Sequence, residues 1–293
     1  MAETRKRKKT DARLTSRKAA GHRLSMAEEN RQPGNPGHQL RLYPWLWSGF
    51  FWLAVWFLVW RRVDQEILLA SPQQVLLRLL ELFTTAAFWW TAATSLIRIM
   101  LGYLLGVAVG LVLAVCTVRL KWMHALFYPL ISAIRATPVS SFIILALVWM
   151  TSYRVVVFIV FLMVLPIIWA NVAEGLRKTD RLLLEMADVF RLRPRQIIRA
   201  IYVPSVAPFF ITAAMTALGL GWKAGIAAEV LSTPAFSLGG RLYESKIYLE
   251  TIDLMALTIF VILLSLLLEK VLLRLLTVAE RYFRRHGQGR RGL

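Results

Sequence analysis

Long apolar runs constrain the fold of this chain more than any other feature of its sequence. Three of them, Leu42 to Trp60, Val155 to Ala173 and Leu254 to Leu276, approach or exceed the ~20 residues that a helix needs to cross a bilayer core of about 30 Å. The sequence therefore predicts an all-α polytopic membrane protein whose core is a bundle of helices in lipid.

The apolar pattern predicts six membrane helices, at about 42–60, 93–118, 125–150, 155–173, 206–231 and 254–276. Loops rich in Arg and Lys stay in the cytoplasm, and such loops follow the second, fourth and sixth spans. The N-terminus is basic as well. With an even number of spans, this distribution places both termini on the cytoplasmic side of the cell (inner) membrane.

The formal net charge of +19 does not point to nucleic acid. The basic residues cluster before Leu42, between Arg177 and Arg199 and after Arg274, in alternation with the apolar runs, as cytoplasmic segments do. We expect three regions: a basic, disordered cytoplasmic tail over residues 1–41 that touches anionic lipid, a transmembrane domain over 42–276, and a basic cytoplasmic tail over 277–293.

A short amphipathic segment, Ser71 to Phe83, lies between the first two spans. Ser71 is a good N-cap and Pro72 suits the first helical position. At about 12 residues the segment is too short to cross the bilayer, so we predict an interfacial helix on the outer surface.

Small residues mark two of the predicted spans. Gly102, Gly106 and Gly110 repeat every four residues in the second span, which places them on one face and lets another backbone approach closely. The fifth span is also rich in alanine and glycine between Ala213 and Ala228. We interpret the three glycines as helix-packing residues, and we expect these two helices to make close contacts inside the bundle.

Four charged residues lie within the predicted spans, where a charge costs several kcal/mol unless it faces protein or water. They are Arg98, Arg135, Lys223 and Glu229. Arg98 is near the outer end of its span and is expected to snorkel. Lys223 and Glu229 are six residues apart, which is not helical i,i+4 spacing, so we expect each to find a partner on another helix.

Two interpretations of these charges stay open. Either they pair structurally within the bundle, or Arg135, Lys223 and Glu229, together with Trp222, line a polar translocation path. Arg135 stands near Pro138, and a proline there frees a carbonyl and kinks a helix, which is tolerated where the backbone lines a cavity. The excess of basic over acidic groups favours an anionic solute.

The residue types that catalysis and metal binding need are scarce. The chain has one cysteine, Cys116, and its four histidines fall in the tails or at the edge of a segment, so we expect no metal site and no bound cofactor. No G-x-x-x-x-G-K-[ST] loop occurs, so the chain does not supply its own ATPase. An intramembrane enzyme and a structural membrane anchor stay as alternatives. The enzyme alternative would need a nucleophile and base, or two carboxylates, that converge within the spans. Glu229 is the only clear acid well inside a span, so the sequence offers no such site.

The segment Glu185 to Pro204, EMADVFRLRPRQIIRAIYVP, follows the fourth span and predicts two short amphipathic helices. Asp180 is a plausible N-cap for the first helix, in which apolar residues recur every three or four positions. Pro194 suits the start of the second helix, and Pro204 is expected to end it before the fifth span. A helix–turn–helix on the cytoplasmic side with an exposed apolar stripe suits docking into a groove of another protein.

These residues resemble the cytoplasmic signature of the permease subunits of type I, binding-protein-dependent ABC importers. That pattern is E-A-A, three residues, G, nine residues, I, one residue, L-P. Four positions match, namely Glu185, Ala187, Ile201 and Pro204. Met186 and Val203 replace an alanine and the leucine, and Arg191 replaces the glycine. If the glycine serves a left-handed turn, the arginine costs about 1 kcal/mol there.

Further fragments over roughly residues 70 to 276 resemble the sulfonate, taurine and nitrate branch, among them TSLIRIMLGYLLGVAVG and GLGWKAGIAAEVL. The resemblance implies a six-span permease bundle with a coupling segment over 180–204, in which Met186, Ala187 and Phe190 fill a groove of the ATPase. The implied coupling residues are Glu185, Met186, Ala187, Phe190, Arg191, Ile201 and Pro204.

The resemblance also implies partners. A second permease subunit, expected as a homodimer although a heterodimer stays open, completes the path. Two ATP-binding subunits, which hold ATP and Mg, dock on the coupling segments, and a soluble substrate-binding protein delivers the solute outside. Sulfonates, taurine, nitrate and vitamin precursors such as pyrimidines all stay open as cargo.

Overall fold

The computed structural model describes the backbone of residues 43–288 and the side chains of residues 47–278. The predicted tail over residues 1–41 and the last five residues lie outside the described residues. Eleven α-helices and one π-helical turn are described: α1 Tyr43–Val63, α2 Pro72–Thr84, α3 Ala86–Arg119, α4 Lys121–Ala136, α5 Val139–Trp149, α6 Ser152–Arg177, α7 Arg181–Val189, α8 Pro194–Ile197, the π turn Ile198–Tyr202, α9 Val203–Ser232, α10 Leu238–Ile247 and α11 Thr251–Gln288.

Four predicted spans are confirmed as helices that are long and apolar enough to cross a membrane. They lie within α3, α6, the continuous helical stretch Pro194–Ser232, and Thr251–Val278 of α11. The predicted third span, 125–150, is not one helix, because α4 and α5 meet at 107° on either side of Thr137 and Pro138. Pro138 was expected to kink this span, and the structure shows a full break instead. The lost backbone hydrogen bond and the proline ring explain it.

The predicted first span corresponds to α1, which has 21 residues. Its many tryptophans lower its hydropathy, because the indole ring carries a polar N–H, and α1 is not among the four apolar spans. The predicted count of six spans is therefore not reproduced. The chain divides into two compact units, residues 1–55 and 56–293, and the described part of the first is the start of α1.

The core of the second unit is built around α6. Its residues Val155, Val156, Ile159, Val160, Val164 and Ile168 are fully buried. The helix packs between α3 and α9, and its central part, from Val155 to Ala170, is apolar on all sides, as expected for a helix buried among others. This central helix ends at the cytoplasmic segment, so it connects the bundle core directly to α7.

The short amphipathic helix predicted at Ser71–Phe83 is confirmed as α2. Ser71 is its N-cap and accepts from the backbone N–H of Gln74, whose side chain bonds back to the cap in a capping box. Its apolar side is buried, and Arg78 reaches the carboxylate of Asp253 at the start of α11, with 2.9 Å between Nη2 and Oδ2. This contact fastens α2 to the outer end of the last span.

Two expected ends of helices do not occur. Pro204 does not end the second cytoplasmic helix, since the chain runs through the π turn into α9 without a break. Proline has no N–H for the i→i−4 bond of a continuing α-helix. The π turn lies directly before Pro204, and its last bond runs from the N–H of Val203 to the carbonyl of Ile198, five residues back. The predicted C-terminal tail, 277–293, begins as helix, because α11 continues to Gln288.

Candidate functional site

The cytoplasmic segment folds into a helical hairpin, α7 followed by α8 and the π turn. Asp180 caps α7 by accepting from the backbone N–H of Leu182 at 2.9 Å, as predicted from the sequence. Pro194 occupies the first position of α8, where its fixed φ fits. Both helices start at the residues that the sequence marks, so local signals position the hairpin.

The turn between the two helices is left-handed at Arg191, which has φ 47°. The N–H of Leu192 bonds to the carbonyl of Ala187 at 2.9 Å, and the N–H of Arg191 bonds to that of Asp188 at 3.0 Å. This is the hydrogen-bond pattern of a Schellman motif, which usually has glycine at the left-handed position. The backbone therefore makes the glycine-type turn with an arginine in it, at a cost of about 1 kcal/mol.

The hairpin exposes apolar side chains on its free surface. Val189 and Phe190 are 79% and 70% exposed, and Leu182 and Met186 are exposed as well. Ala187, in contrast, is fully buried, and Ile201 is almost so. The expectation that Ala187 fills a groove in another protein is wrong for this conformation, because its methyl group is already buried within this chain.

Charged side chains border the exposed apolar stripe. Glu185 is exposed and lies on α7 beside Met186. The arginines at 191, 193, 195 and 199 are also exposed, and none of them forms an ion pair among the described side chains. Pro204 is exposed at the start of α9. The free face of the hairpin is thus an apolar stripe with a basic side.

A second polar cluster lies inside the bundle, near the outer end of α9. Glu229 is fully buried and pairs with Arg98 of α3, with 3.2 Å between Oε1 and Nη1. Ser95 donates to its other oxygen at 2.8 Å, and the backbone N–H of Gly239 donates to that oxygen at 3.1 Å. Arg98 also donates to the carbonyl of Ala235 at 2.6 Å. The prediction that Lys223 and Glu229 each find a partner on another helix is confirmed for Glu229. It is wrong for Lys223, which is exposed and forms no ion pair among the described side chains.

This cluster fixes the short outer helix α10. The backbone N–H groups of Leu238 and Gly239, at the N-terminus of α10, bond to Ser95 and Glu229. A negative charge at a helix N-terminus is favourable. A Cβ at Gly239 would lie only 2.6 Å from the backbone nitrogen of Val230, so α10 touches the backbone of α9. Arg98 is buried in this network, and the expected snorkelling is wrong.

The candidates for a translocation path separate in the structure. Arg135 is exposed at the break between α4 and α5, and Lys223 is exposed on α9. Trp222 is 2% exposed, and its indole N–H has no hydrogen-bond partner among the described residues. Glu229 is enclosed by its partners and lines no open path in this conformation. Of the four candidates, only the two cations are uncovered by this chain.

The three glycines of α3 contact α6. A Cβ at Gly102, Gly106 or Gly110 would lie 3.0 Å or less from the Cβ of Val160, Val164 or Ile168, respectively. The glycine stripe thus faces α6 and not α9. The expected close contact between α3 and α9 occurs at Gly225, where an added Cβ would lie 2.7 Å from Cγ1 of Ile99. The buried ion pair and Tyr103, whose hydroxyl donates to the carbonyl of Ala214, also join the two helices.

Sequence reasoning missed Ser95, a member of the buried cluster, and it overlooked Glu269, a second acid within a predicted span. Ser95 completes the buried cluster, but a serine in an apolar run gives no signal of its own. Glu269 of α11 is half-buried, and its Oε1 would lie 3.4 Å from a Cβ at Gly219. An acid within an apolar run is itself a signal, and it was available there. No group of His, Cys, Asp and Glu in the described part of the chain has the arrangement of a metal site.

The fold and the cytoplasmic hairpin define a membrane component of a transport system. The profile of the family "Binding-protein-dependent transport system inner membrane component" matches residues 106–285, more than half of the chain, and the chain belongs to this family. It is therefore a multi-pass inner-membrane transport component.

Relatives with named cargoes share part of the sequence. The bicarbonate transport system permease protein CmpB of Synechococcus elongatus is 24% identical over 62% of this chain and 66% of its own length. The taurine transport system permease protein TauC of Escherichia coli is 24% identical over 74% of this chain and 82% of its own. The formylaminopyrimidine transport permease protein ThiX of Halalkalibacterium halodurans is 28% identical over 57% and 67%.

Proposed function

We propose that this chain is the permease subunit of an ATP-driven importer for a small anionic solute. The observation that carries the proposal is the exposed apolar stripe of α7, on a cytoplasmic hairpin that joins two spans of the core. Val189 and Phe190 are neighbours and both are highly exposed. Soluble surfaces rarely expose contiguous apolar groups unless they bind a partner, so this cytoplasmic surface is expected to bind another protein.

The proposed partner on this stripe is a separate ATP-binding subunit, two copies of which serve the assembled transporter. ATP and Mg reside on that subunit, and this chain binds no cofactor and catalyses no reaction. Met186 and Phe190 are the side chains available to enter a groove, and Glu185 is available for a polar contact at its rim. Ala187 and Ile201 act from inside the hairpin, by fixing its shape.

The connections of the hairpin give it a mechanical role. Only residues 178–180 separate α6 from α7, and the stretch Pro194–Ser232 is one helical unit from α8 to the outer end of α9. A displacement of the hairpin is therefore transmitted to both helices that form the bundle core. Closure of the ATP-binding subunits would move α9 as a rod, and with it Trp222 and Lys223.

The groups that α9 and the broken span present suit an anion. Lys223 is a cation with no ion-pair partner among the described side chains, and Arg135 lies where the backbone turns sharply at Pro138. The indole N–H of Trp222 is a buried donor that a solute oxygen could satisfy once α9 moves. Bicarbonate and taurine, named as cargo for the relatives, both carry an anionic group.

A second copy of the chain is proposed to cover the exposed face of α9. A lysine in a span is costly in lipid, whereas it is accommodated beside a polar path between two subunits. A homodimer places two copies of Lys223 around one path. A soluble binding protein on the outer side completes the system, with both termini of this chain in the cytoplasm.

Purification of the tagged chain from its own host in a mild detergent tests the proposal. We expect a stoichiometric ATP-binding subunit to co-purify, and the double variant Met186→Asp/Phe190→Asp to lose it while the chain stays folded. Leu120→Asp, an exposed apolar residue at the junction of α3 and α4, is the matched control and should retain it. A chain that always purifies alone, or a double variant that keeps the subunit, contradicts the proposal.

A further inference from the structure

Arg191 adopts a backbone conformation that is unfavourable for arginine. Its φ of 47° is in the left-handed region, which glycine enters freely and an L side chain enters at about 1 kcal/mol. The two Schellman hydrogen bonds, to the carbonyls of Ala187 and Asp188, require this conformation. The turn would form more easily with glycine, so the contribution of the arginine side chain is the point of interest.

Two contributions within the chain can be compared. A basic residue near a helix C-terminus gains about 0.3–1 kcal/mol from the macrodipole of α7, which roughly offsets the strain. An ion pair within the chain would add to this, but Arg191 forms none with any described side chain. Arg191 is exposed at the turn of the hairpin.

The surroundings of Arg191 define the chemistry that it can meet. Phe190 precedes it and is 70% exposed, and Val189 beside it is exposed as well. Four arginines and no acid lie between residues 191 and 199, and all four are exposed. A complementary surface therefore has an apolar groove with carboxylates along one rim.

We propose that Arg191 is a partner-selecting residue of the hairpin, which pairs with a carboxylate on the groove rim of the ATP-binding subunit. This inference rests on the proposed function. Phe190 and Met186 supply apolar contact that many grooves accept, while Arg191 selects the groove with an acid at the tip of the hairpin. A charge at a rim acts mainly on the rate of association and on discrimination between partners.

The test uses the full chain in nanodiscs of zwitterionic lipid and the ATP-binding subunit that co-purifies with it. Arg191→Asn keeps a residue that tolerates the left-handed turn but removes the charge. We expect docking to weaken about three- to tenfold, mainly through slower association, and the loss to shrink as salt is raised. Arg191→Lys should restore most of the affinity. Arg177→Asn, an exposed arginine at the end of α6, is the matched control and should change docking by less than about twofold.

The outcomes separate the two proposals. If no ATP-binding subunit docks on the wild-type chain, the proposed function fails. If the subunit docks on Arg191→Asn as tightly and as fast as on the wild type, only the assignment of Arg191 is overturned. If that variant instead loses binding to vesicles of anionic lipid and keeps normal docking, the arginine serves the membrane surface and the assignment is overturned as well.

Discussion

At the scale of single residues, Glu229 shows how a carboxylate can be buried near the outer end of a membrane helix. A buried charge is costly unless it is paired and hydrogen-bonded. Here Arg98, Ser95 and the backbone N–H of Gly239 satisfy both carboxylate oxygens. The arrangement joins three helices, α3, α9 and α10, at one point, so its role is to hold the outer part of the bundle together.

Removal of one member of this pair should be strongly destabilising. Glu229→Ala leaves Arg98 buried without its counter-charge, and we expect a loss of about 3–5 kcal/mol in the free energy of unfolding. The double variant Arg98→Leu/Glu229→Leu should recover part of this loss, because no unpaired charge remains. Thermal unfolding of the purified chain in detergent measures both. Equal unfolding midpoints for the wild type and Glu229→Ala would show that the ion pair does not stabilise the fold.

Lys223 leads to a different prediction, because it forms no ion pair within the part of the chain whose side chains the structure describes. Lys223→Ala should lower uptake of the anionic solute about tenfold by the assembled transporter in proteoliposomes, while Lys223→Arg keeps most of it. Radiolabelled taurine and bicarbonate are the probes. Lys246→Ala, which removes an exposed cation from α10, is the control for net charge. The same loss in both alanine variants would assign Lys223 to general electrostatics.

At the scale of elements, the glycine stripe determines how closely α3 approaches α6. A Cβ added at Gly106 would lie only 2.7 Å from the Cβ of Val164. Helices in lipid associate through such close contacts, since no hydrophobic driving force distinguishes lipid from protein. The stripe thereby secures the core helix that continues into the coupling segment.

Adding a methyl group at the contact between α3 and α6 tests how much this close approach stabilises the fold. Gly106→Ala should lower the free energy of unfolding by about 1–3 kcal/mol, because the backbones must separate. Gly49→Ala in α1 adds the same methyl group where nothing lies within 4 Å, and it should be neutral or slightly stabilising. Thermal unfolding of the two variants side by side measures the difference, and an unchanged midpoint for Gly106→Ala would mean that α3 and α6 are free to separate.

Local elements were predictable and long-range partners were not. Ser71 and Asp180 cap their helices as expected, because a cap depends on residues two to four positions away. The pair of Arg98 and Glu229 spans 131 positions of sequence, and no local pattern specifies it. Likewise Pro138 indicated a kink, but the angle of 107° depends on what packs around the break. The face of the glycine stripe was predictable, and its neighbour α6 was not.

At the scale of the whole molecule, the hairpin and the core behave as one mechanical unit. The π turn Ile198–Tyr202 connects the hairpin to α9 without a break, so the stiffness of that connection should determine how well docking is converted into transport. Under the proposed function, the chain supplies motion and a path, and its partners supply energy and selection.

Loosening the π turn should uncouple ATP hydrolysis by the docked subunit from transport of the solute. Ala200→Gly/Tyr202→Gly costs about 1 kcal/mol of helix propensity at each position and loosens the turn. We expect the ATP-binding subunit to dock normally and ATP hydrolysis to continue, while the solute transported per ATP falls. Simultaneous measurement of uptake and phosphate release gives the amount of solute transported per ATP. A value equal to that of the wild type would show that the π turn takes no part in coupling.

The central claim, that the exposed stripe of α7 meets an ATP-binding subunit, is tested most directly by cross-linking from single cysteines. Cys116 is the only native cysteine, so a Cys116→Ala background permits one cysteine at a chosen position. A bifunctional cross-linker in native membranes should join Phe190→Cys to the ATP-binding subunit, while Lys246→Cys on α10 should give no such product. Absence of a product from Phe190→Cys, or an equal yield from both positions, would contradict the account.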